Sequence, residues 1–429
     1  MKLLVSFNEF LLERAYEDLQ NWRDSKLVME GGAAGHMAHP FDDKDLTFGD
    51  FKKMIEAGLQ GELNFEEDAT EKTDGQNLFA TVKDGQVLFA RNKGQLISPL
   101  DLNGIIRMFT GHASKMVEDT YILAAKDLAS ALPRVKDQSM FNDGKSFMNM
   151  ELIYSLNPNV IVYDRDVIQF HGMVDTDGAG NVTGENPKAA KDLAKLLQNV
   201  NAHVGNTFTM IPPQVLALRR DQDFSNKLPY FMNKIQSLEN RYGLSDTDEV
   251  SRYHEMWWRE EIDASFPTVG ADVKEALLQR WAYNNKQAMD FRTMAKEVDA
   301  KDMDKIKKYD KVDSAKKYKE NIRPFEDLFL EFGSVVLKNA SNFLAASPDK
   351  EMQRLHNQIR TEADKIKLNG GEAQIAKVEA ELDRLNRIGG IESIIPSEGL
   401  VFRYNGKIYK LTGTFAAINQ LMGIIKYGR

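Results

Sequence analysis

Apolar and polar residues change rhythm repeatedly along this chain, and each change predicts a different kind of element. Residues 6–20, SFNEFLLERAYEDLQ, set Phe7, Phe10, Leu11 and Ala15 on one face at helical spacing, with Ser6 placed to cap the helix start. Residues 30–45 lose that period to Gly, Ala and Pro and predict a loop. TFGDFKKMIEAGL (47–59) predicts a second helix. From 66 to 97 the pattern shortens to strands: LFATVKDGQVLFARN reads as two strands around Asp84-Gly85, a strong hairpin signal. FMNMELIYS (147–155) and DVIQFHGMV (166–174) predict two more strands, with a turn at 175–181.

Helical periodicity then dominates from 186 to 390, in segments such as NKLPYFMNKIQSLENRYG and EAQIAKVEAELDRLNR. Strand texture returns in IESIIPSEGLVFRYNGKIYKLTG (391–413), turning at Asn405-Gly406, and an apolar helix, TFAAINQLMGIIKY, follows. No repeat of fixed period is present. The expected fold is α+β, a β-rich core interrupted by a large helical insertion. Its expected parts are an N-terminal helix (1–28), the first part of the core (29–185), the insertion (186–390), and the last strands with a C-terminal helix (391–429).

Composition narrows the functional classes. With 429 residues, 42% hydrophobic and 28% charged, the chain has a globular composition rather than a disordered one. The absence of cysteine excludes disulfide frameworks, thiolate zinc sites and cysteine nucleophiles, and fits a reducing compartment. A net charge of −8 excludes a uniformly basic coat for nucleic acid but not a local basic groove. No apolar run approaches the ~20 residues of a membrane helix. The apolar start Met1–Phe7 is broken by Glu9 and Glu13 without a cleavage site, so a cytoplasmic protein with no membrane partner is expected.

The candidate chemistry centres on Glu71-Lys72-Thr73-Asp74-Gly75-Gln76-Asn77. A lysine leaving a strand just before an Asp-Gly turn is held at a fixed angle. Arg91 follows in Arg91-Asn92-Lys93-Gly94 after the next hairpin, Glu151 ends Met148-Asn149-Met150-Glu151, and Phe170 lies on the next strand. Glu398-Gly399-Leu400-Val401 opens a late strand, with Lys407 and Lys410 across its turn. Each has a plainer reading: Lys72, Glu151 and Glu398 as exposed strand residues, Phe170 as core.

In order and type this set resembles the covalent nucleotidyltransferase superfamily, the polynucleotide ligases, RNA ligases and mRNA-capping enzymes. The resemblance covers about 60–175 and 391–413, and not the helical block. It extends in general type to proteins of tailed phages, which implies a host-cytoplasmic or virion-packaged protein. It implies an antiparallel-β, ATP-grasp-like ligase core, ATP and Mg²⁺ as cofactors, and a nucleic-acid acceptor, RNA before DNA.

By the same resemblance, Lys72 takes up AMP, aided by Lys410 and Lys407. Glu71, Asp74, Gly75, Arg91, Glu151, Phe170, Glu398 and Lys410 form the nucleotide pocket, Phe170 stacking on adenine, and Glu398 and Glu151 hold the metal. A lysine attacks phosphorus only as a neutral amine, so Arg91, Lys407 and Lys410 are expected to pull its pKa below the ordinary ~10.4. Two departures stand out. Asn77 replaces the arginine usual in DNA ligases, and Thr412 replaces the second lysine of the last motif. The rival readings are transfer from GTP or ATP to another acceptor (a cap or a protein), and a non-catalytic phage structural protein on a ligase-like fold.

Other features carry less. His36 and His39, near Asp42 and Asp43, share no helix face and make a weak metal motif, though they suit phosphate contacts. The Gly-rich Glu30–Gly35 stretch lacks the Lys-Ser/Thr ending of a P-loop. Residues 296–323 are lysine-dense but interleaved with acids, the pattern of a solvated helix pair, with Tyr309 and Tyr318 as stacking candidates for nucleic acid. Trp257-Trp258 is expected in the core of the helical block.

Overall fold

The computed structural model describes residues 37–158, 161–177, 179–201, 204, 205, 207–283, 289–341, 343, 344, 354, 357, 361, 372–387 and 397–427. The helix expected at 6–20, His36 and the Glu30–Gly35 stretch lie outside them. The described chain is mixed α and β with mainly antiparallel sheets, as expected at that level. No helix among the described residues is long and apolar enough to cross a membrane.

The strands, in chain order, are β1 (Thr70–Lys72), β2 (Gln76–Lys83), β3 (Gln86–Ala90), β4 (Ser146–Ile153), β5 (Val167–Thr176), β6 (Val182–Glu185), β7 (Thr209–Ile211), β8 (Ala217–Leu218), β9 (Ala340–Ser341), β10 (Gly399–Tyr404) and β11 (Lys407–Leu411). The larger sheet runs β3-β2-β4-β5-β6, with β7 joining β5 in parallel. A second sheet runs β1-β10-β11, and β8 pairs with β9. Both hairpins foreseen from sequence close on paired left-handed residues, Asp84-Gly85 at φ 50° and 74° and Asn405-Gly406 at 51° and 73°. Those conformations match the twist of the flanking strands, which is why the chain turns there.

Alternation gives the large sheet two unlike faces. Leu78, Ala80 and Val82 of β2 and Met148, Met150 and Leu152 of β4 pack under the helices Leu102–Phe109, Lys115–Ala131 and Pro187–Asn201. The other face carries Asn77, Asn149, Glu151 and Gln169, beside a small apolar group that includes Phe79 and Phe147. In β5 the register slips by one residue: Met150 pairs with Phe170, but Asn149 pairs with Gly172, leaving His171 as the bulge. The slip keeps both Phe170 and Met173 in the helix-covered core.

The division of the chain differs from the one expected. Of the described residues, those within 63–218 and 337–427 form one unit, whereas those within 38–62 and 219–336 form another. Helix Pro187–Asn201 therefore belongs with the sheets, not with a helical insertion starting at 186, and helix Phe48–Gln60 belongs with the later helices. In that second unit Thr47 caps its helix through a reciprocal capping box with Asp50. Phe51 packs edge-on to Phe325 and Phe329. Trp258 is buried with Phe266, Trp281 and Tyr309, as expected, while Trp257 is half-buried and packs against that cluster.

The lysine-dense segment also differs from its stacking alternative. Tyr309 lies in that core and donates to Glu261 at 2.9 Å, while Lys317 pairs with Glu261 and Glu320.

Candidate active site

Lys72 ends β1 directly opposite Gly399 of β10. A Cβ on Gly399 would stand 2.1 Å from the Leu411 carbonyl oxygen, so only glycine lets the three strands close here. Thr70 pairs with Val401 and Val401 with Lys410, which puts Lys410 on the sheet face of Lys72. Thr412, one step past the Leu400–Leu411 pair, stands level with Gly399, its hydroxyl buried without a partner. Lys407 differs from expectation. It pairs with Tyr404 at the hairpin end, on the opposite face and roughly 16 Å along the strand from Gly399.

The turn after Lys72 is fastened to β4. The Gly75 N–H donates to Glu151 Oε1 at 2.8 Å, the Thr73 hydroxyl donates to Glu151 Oε2, and His171 Nε2 lies 3.0 Å from that same oxygen. Asp74 is held through its own N–H, which donates to Tyr163 Oη at 2.7 Å, and by the Ile161 N–H, which donates to its carboxylate at 3.0 Å. A Cβ on Gly75 would lie 2.6 Å from the Leu152 carbonyl oxygen and 2.7 Å from Glu151 Cγ. The Asp-Gly signature thus has a packing cause: the backbone lies flat on β4.

The charges around Lys72 run opposite to those expected. Its ammonium pairs with Glu398. Burial pulls its pKa down, but Glu398, Glu151 and Asp74 outweigh burial and hold it above the ordinary value. Burial pushes the Glu398 carboxyl up to about 7 against the pull of Lys72, and Glu151 and Asp74 push it further. The two members of the ion pair move up for different reasons: Lys72 through the carboxylates around it, Glu398 chiefly through burial. Burial also acts on Glu151, yet the His171 hydrogen bond, the Lys72 charge and Thr73 keep its carboxyl below the usual range. Glu71, 1% exposed, faces away beside Leu400 and accepts from the Leu344 N–H at 2.6 Å. Burial raises its carboxyl to about 8.

Arg91 follows β3, its guanidinium 5.9 Å from the Phe109 ring centre and 5.7 Å from that of Tyr121. Tyr121 Oη donates to the Asn77 carbonyl at 3.2 Å, and Asn77 pairs with Glu151 across the sheet. Arg91 thus packs beside Phe109 and Tyr121 of the helix-side core, and the charges that act on Lys72 are those of carboxylates. Phe170 is 2% exposed within the helix-side core, on the face opposite Glu151, so it does not face the site as a stacking ring. His171 and Gln169 take that face. Sequence reasoning passed over them, together with Thr73 and Tyr163, and only the pairing of β5 with Glu151 singles them out.

A divalent cation fits this donor set in one respect. Glu398 and Glu151 flank a site with surplus negative charge, and Mg²⁺ commonly takes one or two carboxylates and completes its shell with water and phosphate oxygens. Among the described residues no group of three or more His, Asp or Glu side chains could hold a metal alone. His39 instead caps a turn, its N–H donating to Asp42 at 2.8 Å, and its ring stacks on Phe41.

Comparison with models of known families, with curated proteins and with solved structures finds no match for this chain.

Proposed function

We propose that the chain is an ATP-dependent nucleotidyltransferase that forms a covalent lysyl-AMP at Lys72 and passes AMP to the 5′-phosphate of a polynucleotide, as an RNA ligase does. The observation that carries the reading is the Lys72-Thr73-Asp74-Gly75 turn, fastened by Glu151 and facing Glu398 and Lys410. In the first step the Lys72 lone pair forms the N–P bond at the α-phosphorus while the α–β P–O bond breaks. Before the attack the Lys72 ammonium gives its proton to the paired Glu398 carboxylate, which frees the lone pair, and pyrophosphate leaves with the electron pair of the broken bond. In the second step a 5′-phosphate oxygen displaces Lys72, leaving an adenylylated end that a 3′-hydroxyl attacks with release of AMP.

Lys410, on the same sheet face, is placed to neutralise phosphate charge. Glu398 and Glu151 would hold Mg²⁺, which supplies charge neutralisation at the phosphates when bound. The acceptor is proposed to be RNA before DNA, and the setting cytoplasmic.

Incubation with α-labelled ATP or GTP and Mg²⁺, followed by a denaturing gel, tests the reading. Label should survive denaturation and vanish in both Lys72→Ala and Lys72→Arg, since a guanidinium stays charged. The raised pKa of Lys72 favours one second reading, a non-catalytic protein on this scaffold. An unlabelled wild-type band would support that reading and sink the first.

A further inference from the structure

We infer that Gln169 reads the base of the nucleotide, pairing its amide with the N6 and N1 edge of adenine; this rests on the nucleotide-transfer reading. Gln169 is 0% exposed, and neither its Nε2 nor its Oε1 has a hydrogen-bond partner. It pairs directly with Glu151, so its side chain leaves the sheet on the face that holds the Lys72 turn. Ile168 and Phe170, its chain neighbours, point into the helix-covered core on the other face. The amide is therefore no part of that core.

Buried amides are paired almost without exception, because a desolvated donor and acceptor each carry a penalty. Two unpaired ends on one side chain, beside the carboxylate that fastens the nucleophile's turn, point to a partner that arrives with the substrate. A primary amide offers one donor and one acceptor side by side. Adenine offers the complement: N6–H donates to Oε1, and N1 accepts from Nε2, a bidentate geometry of the same kind as the pairing glutamine makes with the N6 and N7 edge of this base. Glu71, Gln76 and Thr412 also hold unpaired buried oxygens, but among the described residues only Gln169 leaves both ends of a primary amide without a partner.

The same amide turned over would also meet guanine, so truncation alone is not the test. Gln169→Glu is. A carboxylate offers only acceptors, which suits the N1–H and N2–H edge of guanine and opposes adenine N1. The experiment measures equilibrium binding of ATP and GTP to full-length Lys72→Ala protein, with and without Gln169→Glu or Gln169→Leu, alongside labelling of the Lys72-containing forms. ATP binding should weaken about 10-fold or more in both variants, and Gln169→Glu should shift the ATP:GTP ratio toward GTP. Gln169→Leu, of similar shape, should melt at the same or a higher temperature without nucleotide, which separates lost recognition from lost folding.

An unchanged ATP:GTP ratio in Gln169→Glu would overturn this inference while leaving labelling of Lys72 intact. Selective ATP binding that responds to Gln169, without any labelling, would sink the transfer reading alone. Absence of ATP binding would overturn both.

Discussion

At the scale of single residues, the site is governed by an imbalance of charge and by a want of space. Lys72 sits among Glu398, Glu151 and Asp74, so in the absence of nucleotide it stays protonated and paired. On the transfer reading such a lysine is stored rather than activated, and its surroundings would have to change with the arriving nucleotide before it could attack. The want of space lies one step further on, at Gly75. Its backbone rests against β4 so closely that any Cβ meets the Leu152 carbonyl and Glu151 Cγ. Gly75→Ala should lift the turn away from Glu151, lengthening the bond that now measures 2.8 Å. The expected result is loss of Lys72 labelling by about 100-fold, with destabilisation of about 1–3 kcal/mol, as for other overpacked positions. Labelling kinetics and a urea melt check the two effects separately. Unchanged labelling would show that the clamp does not position the lysine.

At the scale of elements, β5 decides which residues face the site. Its alternation puts Ile168 and Phe170 in the core and leaves Gln169 and His171 beside Glu151, and the one-residue bulge at His171 then shifts the phase so that Met173 also faces the core. Phe170→Ala should therefore behave as a core truncation, costing about 3–5 kcal/mol in denaturant unfolding. Phe170→Leu should keep ATP binding within a few-fold of wild type, as a fluorescence titration would show. Loss of binding in a well-folded Phe170→Leu would restore the stacking role.

The same strand shows how far sequence could be read. Asp84-Gly85 and Asn405-Gly406 were legible because their positive φ angles are a local demand that few residues meet. The Lys72-Thr73-Asp74-Gly75 turn and Glu151 were legible because the close approach at Gly75 and the lysine are written in residue type. VIQFHGMV was misread at Phe170, although Ile168-Gln169-Phe170-His171 alternates apolar and polar; the bulge at His171 shows only in the pairing of β5 with β4. Lys407 was misplaced by the same route: a hairpin of two lysines does not announce which of them shares a face with a residue on another strand. The unit boundary was missed for a non-local reason, since nothing within 47–60 reports that its packing partners begin at Arg219.

At the scale of the whole molecule, the two units carry buried ionisable groups that respond to pH in opposite senses. In the helical unit, His254 is buried, its Nδ1 2.5 Å from Asn321 Oδ1. Burial, aided by the nearby charge of Lys44, drives its pKa down to about 3 from the ordinary 6.5. A depressed pKa means that the unfolded chain takes up the proton first. His254 therefore favours the folded unit fully above pH 6.5 and loses that contribution as pH falls toward 3. Glu71, in the β-rich unit, has the reverse sign. Its carboxyl, raised from 4.5 to about 8, gives its stability below pH 4.5 and loses it as pH rises through 8.

Acid should therefore weaken the helical unit through His254 while relieving the strain of burying Glu71. His254→Gln, which keeps a hydrogen-bonding side chain toward Asn321, should flatten the fall in stability between pH 6.5 and 3. Glu71→Gln should raise stability at pH 8 to 9 and change little at pH 4.5. Tryptophan fluorescence reads the helical unit through Trp257, Trp258 and Trp281, so melts followed by fluorescence should register the His254 substitution. Hydrogen exchange in β1 and β10 should register the Glu71 substitution. If both substitutions moved both probes equally across both pH windows, the two units would unfold as one, and stability could not be assigned to either group separately.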